Sequence, residues 1–224
     1  MTATDRSIIV DSLGVGLATG AYGVSFGAIS TSSGLSVLQT CLLSLLVFTG
    51  ASQFAFIGII ASGGNPITGA LTSVLLGSRN MFYGLSIARL LELSPARRLA
   101  SAHLVIDEST AMAVTRTTRR QARLGFYWTG LSIFILWNLT TFLGALAGNA
   151  IGDPRTYGLD AAVGAAFLGL LWPRLTSWHA RIVALFAAAV ALGAVPLTSA
   201  GLPIIIGGAA AVLLGMLWRP RRTS

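Results

Sequence analysis

The sequence SLGVGLATGAYGVSFGAIS, residues 12–30, opens a stretch that contains no Asp, Glu, Lys, Arg or His before Arg79. This stretch is long enough for several helices of about 20 residues, the length that crosses a bilayer. Two further charge-free stretches, residues 124–152 and 182–218, have the same character. The sequence therefore predicts an integral membrane protein that crosses the bilayer several times.

Composition supports the same conclusion for the whole chain. Of its 224 residues, 54% are hydrophobic and 10% are charged, whereas soluble domains carry about 25% charged residues. Strands of a transmembrane barrel alternate apolar and polar residues, whereas the apolar windows of this sequence are uniformly apolar. We predict an all-α polytopic membrane bundle in which residues 1–224 form a single transmembrane domain.

Apolar windows predict about seven transmembrane helices. They fall at Ser12–Ser30, Leu35–Ala61, Pro66–Leu91, Gly125–Ala147, Tyr157–Trp172, Ala180–Pro196 and Gly201–Trp218.

One segment, Ser94–Thr115, does not fit this pattern, because it begins like a helix but carries charges that include Arg97, Asp107 and Glu108. It could lie at the interface, re-enter the membrane, or cross as an eighth helix. Charged or irregular backbone is tolerated at membrane depth only against protein or water. We therefore expect one or more broken or re-entrant helices.

The net charge of +8 comes from 15 Arg and no Lys, set against seven acids. These arginines cluster in loops beside apolar windows, as the positive-inside rule predicts for a membrane protein, so nucleic acid is not an expected partner. The rule leaves two orientations open. The N-terminus is outside if there are seven crossings and inside if there are eight.

Arg79 lies near the middle of the window Pro66–Leu91. A guanidinium at that depth costs about 2.5–3.5 kcal/mol on insertion scales, so it normally faces protein or water. On a helix, Thr72, Tyr83 and Ser86 share its face. Gln53 shares a face with Thr49 in the preceding window in the same way. Arg79 is a candidate pathway residue, with a purely structural tie between helices as the alternative.

Three acids could oppose this arginine: Asp107, Glu108 and Asp160. A buried carboxylate can bind and release a proton near neutral pH, as a proton-coupled carrier requires. Helix capping is the alternative for Asp107 and Asp160. The single cysteine, Cys41, gives no metal-ligand cluster, and we expect no metal or other cofactor.

Glycines are spaced four residues apart at Gly16 and Gly20, at Gly23 and Gly27, and at Gly144 and Gly148. Such pairs let helix backbones approach closely. We expect tight helix packing there, with a helix broken at a substrate site as the alternative.

Several motifs, taken in order, resemble the AzlC family. They are the block FTGASQF (48–54), the segment GSRNMFYG (77–84), the pair Asp107–Glu108 followed by Ser109, and GLD (158–160). The resemblance runs from about residue 14 to residue 218. This chain has Gly77 and Asn80 where the family pattern usually has Asn and His.

The resemblance implies a branched-chain amino acid exporter of the bacterial plasma membrane. It also implies that the chain is the large subunit beside a small AzlD-type membrane protein. Five residues in the matching segments become candidates for the substrate pathway on this basis: Gln53, Arg79, Asp107, Glu108 and Asp160. Asn80, beside Arg79, and Tyr83, on the polar face of the same helix, are added as candidates from their positions in the sequence.

Three functional classes remain to be compared. The first is a carrier, proton-coupled, for branched-chain amino acids or for another small amphipathic solute. The second is a membrane scaffold that stabilises a partner without transporting anything. An enzyme is disfavoured, because no nucleophile, base and orienting group occur together in a recognisable motif. We therefore expect a carrier that is not an enzyme.

Overall fold

The computed structural model describes residues 2–151, 168, 171–172 and 175–218. All regular secondary structure among these residues is helical, and no strand occurs among them. The helices are α1 (Ala3–Ala21), α2 (Gly23–Ser32), α3 (Val37–Leu46), α4 (Ala51–Ala61), α5 (Pro66–Leu91), α6 (Pro95–Ala102), α7 (Asp107–Val114), α8 (Arg119–Ile151), α9 (Trp178–Ala194) and α10 (Leu202–Leu217). The predicted all-α architecture is confirmed.

Length and composition identify the helices that can cross a membrane unaided. Among the described residues these are Ala3–Ser32, which joins α1 to α2, Arg119–Gly148 within α8, and Trp178–Leu197, which extends α9. The 26 residues of α5 measure about 39 Å at 1.5 Å per residue. This length also suffices to cross, although Arg79 lies in its middle.

A glycine seam joins the first helices to α8. A Cβ at Gly20 would lie 2.5 Å from Leu136 Cβ, and one at Gly27 would lie 2.6 Å from Ala145 N. Because later residues of α1 and α2 meet later residues of α8, the two stretches run parallel. The predicted close packing is confirmed, and it occurs within this chain, so these glycines do not indicate a partner's docking face.

The helices α3 and α4 form a pair that enters and leaves on the same side. The first begins near the end of α2, where Leu35 N donates to Ser30 O. The second returns along α5 in the opposite direction, since Ser52 O accepts from Ser73 Oγ (2.8 Å) and Phe56 packs against Gly69. The prediction that Leu35–Ala61 is one crossing helix is therefore wrong.

The chain turns between α3 and α4 because Gly50 adopts a positive φ of 59°, which favours glycine. Each of the two helices has only 10 or 11 residues. Neither is long enough to cross a bilayer of about 30 Å.

The helices α6 and α7 form a second re-entrant pair, from the opposite side. The chain enters beside the start of α8, where Arg123 Nε donates to Leu91 O (2.7 Å). It returns along α8, so that Leu104 faces Gly130 and Met112 faces Gly125. Of the three possibilities open for Ser94–Thr115, the structure therefore shows the re-entrant one.

The tips of the two pairs meet in the middle of the bundle. The rings of Phe48 and His103 lie 5.8 Å apart, and each also contacts Phe134 of α8, at 5.1 and 5.4 Å. Each re-entrant pair is followed by a long helix, α5 or α8, and these two long helices run in opposite directions. The arrangement is that of an inverted repeat, in which substrate sites lie near the bilayer midplane.

The last two helices complete the described bundle. Gly201, which begins α10, packs against Ile59 and Thr68, and Gly208 packs against Leu75, so α10 runs parallel to α5. Helix α9 is antiparallel to α10, since Gly207 faces Ala187 and Ala191, and the ring of His179 at the start of α9 lies 5.1 Å from that of Trp218 at the end of α10. The predicted span Tyr157–Trp172 lies almost wholly outside the described residues.

The two ends of the bundle differ in charge. One, the arginine-rich end, carries the start of α1, the α5–α6 and α7–α8 connections and the start of α9, with Arg6, Arg97, Arg98, Arg116, Arg119, Arg120, Arg123 and Arg181. Among the described residues, the other end, named the neutral end below, has the connections 33–36, 62–65 and 198–201, none of which contains a charged residue. The N-terminus lies at the arginine-rich end, where Asp5 pairs with Arg120 (2.9 Å).

Candidate functional site

Arg79 lies in a polar cluster at the centre of the bundle. Its guanidinium is 2.6 Å from Asp107 Oδ2, and its side chain is 26% exposed. The hydroxyl of Tyr83, one turn further along α5, donates to Asp107 Oδ1 (2.7 Å). The pair therefore joins the middle of α5 to the tip of the second re-entrant pair.

Asp107 is the first residue of α7. Backbone N–H groups at a helix N-terminus stabilise a negative charge. The Asp107 carboxylate is therefore contacted by the Arg79 guanidinium and the Tyr83 hydroxyl, and it lies at the start of a helix.

Gln53 holds the first re-entrant tip. Its side chain is fully buried, its Oε1 accepts from Gly50 N (3.1 Å), and its Nε2 donates to Leu43 O (3.3 Å). It therefore ties the end of α3 to the start of α4 across the break. We conclude that Gln53 positions the tip, whereas its predicted place in the substrate pathway stays a prediction.

Ser109 does the same at the second tip, and sequence reasoning missed it. Its Oγ accepts from Ile106 N (3.1 Å) and donates to Leu104 O (2.6 Å). Ser109 occupies the third position of α7, as Gln53 occupies the third position of α4. A polar residue at that position, capable of capping, was the available signal.

Several polar atoms near the two tips lack a hydrogen bond within the described part of the chain. They include Oδ1 of Asn80 and Oγ1 of Thr49, both inaccessible to solvent. Buried polar atoms normally have partners. These two atoms are therefore unsatisfied among the described residues.

The structure separates the other predicted residues. Thr72 is fully buried, and Ser86 is exposed and donates to Tyr83 O. Within the described ranges, the residues of the predicted polar face of α5 that contact Asp107 are Arg79 and Tyr83. Glu108 is half-buried beside Asp107. Asp160 lies outside the described residues.

The cluster can recognise a zwitterion. The Asp107 carboxylate can attract an ammonium group, while Arg79 and the N-terminus of α4 at Gly50 can attract a carboxylate. No group of His, Cys, Asp and Glu suited to a metal ion occurs among the described residues.

A family model described as "AzlC protein" matches residues 14–151, which include both re-entrant pairs and the Arg79–Asp107 cluster. The chain belongs to the AzlC family. The family resemblance seen in the motifs is thus confirmed, and the protein is a membrane protein of this family.

Curated relatives agree with this assignment. An "Uncharacterized membrane protein" of Archaeoglobus fulgidus is 33% identical over 80% of this chain and 80% of its own length. "Inner membrane protein YgaZ" of Escherichia coli is 26% identical over 87% of this chain and 84% of its own length. "Branched-chain amino acid transport protein AzlC" of Bacillus subtilis is 24% identical over 65% of this chain and 58% of its own length.

No solved structure matches this chain.

Proposed function

We propose that this AzlC-family protein is a proton-coupled carrier that exports branched-chain or similar apolar amino acids and is not an enzyme. The observation that carries the proposal is the Arg79–Asp107–Tyr83 cluster where two opposed re-entrant pairs meet. In transporters, half-helix N-termini near the midplane receive anionic substrate groups. The Bacillus subtilis relative, named as a branched-chain amino acid transport protein, supports the substrate class.

Charge distribution supports an orientation for this carrier. Basic residues collect on the cytoplasmic side of bacterial membrane proteins. We therefore place the arginine-rich end, with the N-terminus, in the cytoplasm of a bacterial cell and the neutral end outside. In this orientation α6 and α7 enter from the cytoplasm, and α3 and α4 enter from outside.

A small AzlD-like membrane subunit is the proposed partner, on the strength of the family resemblance. Exposed apolar side chains cover the described helices, among them Leu38 of α3 and Ile135 of α8. Such surfaces suit either lipid or a partner helix. Co-expression with a small membrane protein encoded beside this chain is therefore part of the test.

The test is leucine exchange in proteoliposomes, with and without that partner. Wild-type protein should exchange external for internal leucine, and Asp107→Asn, compared per amount of inserted protein, should reduce exchange to background, because the carboxylate proposed to attract the ammonium is lost. The matched control is Asp11→Asn, whose carboxylate is 53% exposed and lies 3.9 Å from Arg116 at the arginine-rich end. Absence of exchange by the wild type in both preparations would favour a scaffold instead.

A further inference from the structure

Glu108 differs from its neighbour in the contacts that it makes. Both oxygens of Asp107 are engaged, one by Arg79 and one by Tyr83. The Glu108 carboxylate forms no ion pair or hydrogen bond with another residue in the described ranges, although it is half-buried at the deep end of α7. A carboxylate in that position is poised to change its charge without breaking the Arg79–Asp107 pair.

The surroundings of Glu108 supply few other charges. On α5 the near groups are Arg79 and Tyr83, and on α7 itself the near group is Asp107. On the part of α8 that contacts α7, the charged or titratable side chains are Arg123, which donates to Leu91 O (2.7 Å) and Glu92 O (2.8 Å), and Tyr127, which is hydrogen-bonded to Ser101 (2.7 Å). No cation other than the already paired Arg79 therefore faces Glu108 from these described elements.

An exposed face of α7 leads from Glu108 toward the arginine-rich end. Ala111 and Thr115 follow at spacings of three and seven residues, so the three lie on one side of the helix. Ala111 and Thr115 are both exposed. An ionised carboxylate that faced hydrocarbon there would cost about 2.5–3.5 kcal/mol, and such groups normally face water or protein.

We propose that Glu108 is the proton-carrying residue of the carrier, and that the Glu108–Ala111–Thr115 face of α7 lines its water route to the arginine-rich end. This rests on the proposed function for its coupling to transport. The carboxylate binds one proton from water on one side of the membrane and releases it to water on the other, while the amino acid moves in the opposite direction. Asp107 stays paired with Arg79 and Tyr83 at the substrate site.

The first test separates coupling from binding. Glu108→Gln keeps the size and polarity of the side chain but cannot release a proton. We expect it to abolish leucine transport driven by a pH gradient while keeping leucine exchange at equal pH within about twofold of the wild type. The matched control is Glu92→Gln, an exposed carboxylate paired with Arg119 at the arginine-rich end, which should retain both activities.

Two outcomes of this test would overturn the proposal. If Glu108→Gln is still driven by a pH gradient, the proton is carried elsewhere, and the proposed function stands. If it loses exchange as well, Glu108 binds the substrate and is not a separate proton carrier.

The second test needs no transport activity. In a Cys41→Ser background, Ala111→Cys and Thr115→Cys should react with a water-soluble thiol reagent from the arginine-rich end about tenfold faster than Val74→Cys, because the reagent needs a hydrated thiolate. Val74 is 70% exposed on the middle of α5 and serves as the hydrocarbon-facing control. Equal, slow labelling at all three positions would show that this face of α7 is dry and would overturn the water route.

Discussion

At the scale of single residues, the Arg79–Asp107 pair shows why a charge can lie at the centre of this bundle. Removing one partner of such a pair leaves an uncompensated charge and is strongly destabilising, whereas the intact pair is satisfied. Asp107 is also the first residue of α7, so the pair lies at the tip of the second re-entrant pair. The pair is therefore both a structural tie between α5 and α7 and the charged centre of the candidate site.

Arg79→Lys should lower the initial rate of leucine transport by about tenfold while the protein remains folded, because a lysine ammonium lacks the planar fork that matches a carboxylate. The rate should be measured in proteoliposomes and divided by the amount of protein inserted. Arg89→Lys, an exposed arginine in the last turn of the same helix, is the matched control and should transport normally. A wild-type rate for Arg79→Lys would mean that positive charge alone suffices.

Sequence reasoning selected Arg79 and Asp107 separately but could not pair them. An arginine among apolar residues stands out because of its insertion cost. The distance between the two residues depends on α6 and α7 folding back, which hydropathy does not encode. The sequence alone therefore could not show that Arg79 and Asp107 form an ion pair.

At the scale of helices, the predicted bounds hold wherever composition changes sharply. The window Pro66–Leu91 coincides with α5, since Asn65 caps its start and Pro66 occupies the first position. Helix α8 begins six residues before the predicted Gly125, at Arg119. Its first turns lie at the arginine-rich end, where charged side chains reach water, so a search for apolar residues cannot find them.

The two re-entrant breaks were harder to predict from the sequence than the bounds of the long helices. Residues on both sides of Gly50 are equally apolar, so one window covered α3 and α4 together. The physical signals were a glycine free to adopt positive φ and a polar residue three positions later. Each signal is common by itself, and only the position of both at the centre of the bundle identifies a break between two short helices.

The glycine seam gives a prediction at this scale. Gly27→Ala should lower the midpoint of thermal unfolding in detergent, because its Cβ would lie 2.6 Å from Ala145 N and 3.0 Å from Gly144 C. Overpacking of this kind costs about 1–3 kcal/mol. Gly14→Ala, which meets nothing within 4 Å, should keep or raise the midpoint. Equal shifts of the midpoint for both variants would show that close packing at the glycine seam does not contribute to stability.

At the scale of the whole molecule, the two re-entrant pairs enter from opposite ends, so the proposed carrier would reach the same small site from either side. One pair belongs to the neutral end and the other to the arginine-rich end, and their tips touch through Phe48 and His103. Movement of either pair relative to its long helix would open one side while the other stays closed. Rocking of this kind around a fixed site is how inverted repeats achieve alternating access.

Cysteine labelling of intact cells tests this topology. In a Cys41→Ser background, Ser36→Cys and Ser62→Cys should both react with a membrane-impermeant reagent added outside, because both exposed residues lie at the neutral end. Thr117→Cys, at the arginine-rich end, should react only after the cells are permeabilised. Opposite results for Ser36 and Ser62 would mean that α3 and α4 together cross the membrane.

The parallel seam between α1, α2 and α8 also determines when its contacts can form during synthesis of the chain. Its partners lie far apart in the chain: Asp5 meets Arg120 across 115 residues, and Ser12 meets Ser132 across 120. At a translation rate of about 5–20 residues per second, the first helix waits on the order of 6 to 23 seconds in the membrane before its partner emerges from the ribosome. During that interval its bare glycine backbone is open to any passing helix, so the nascent chain is most vulnerable to wrong pairing and to quality-control proteases before α8 is made.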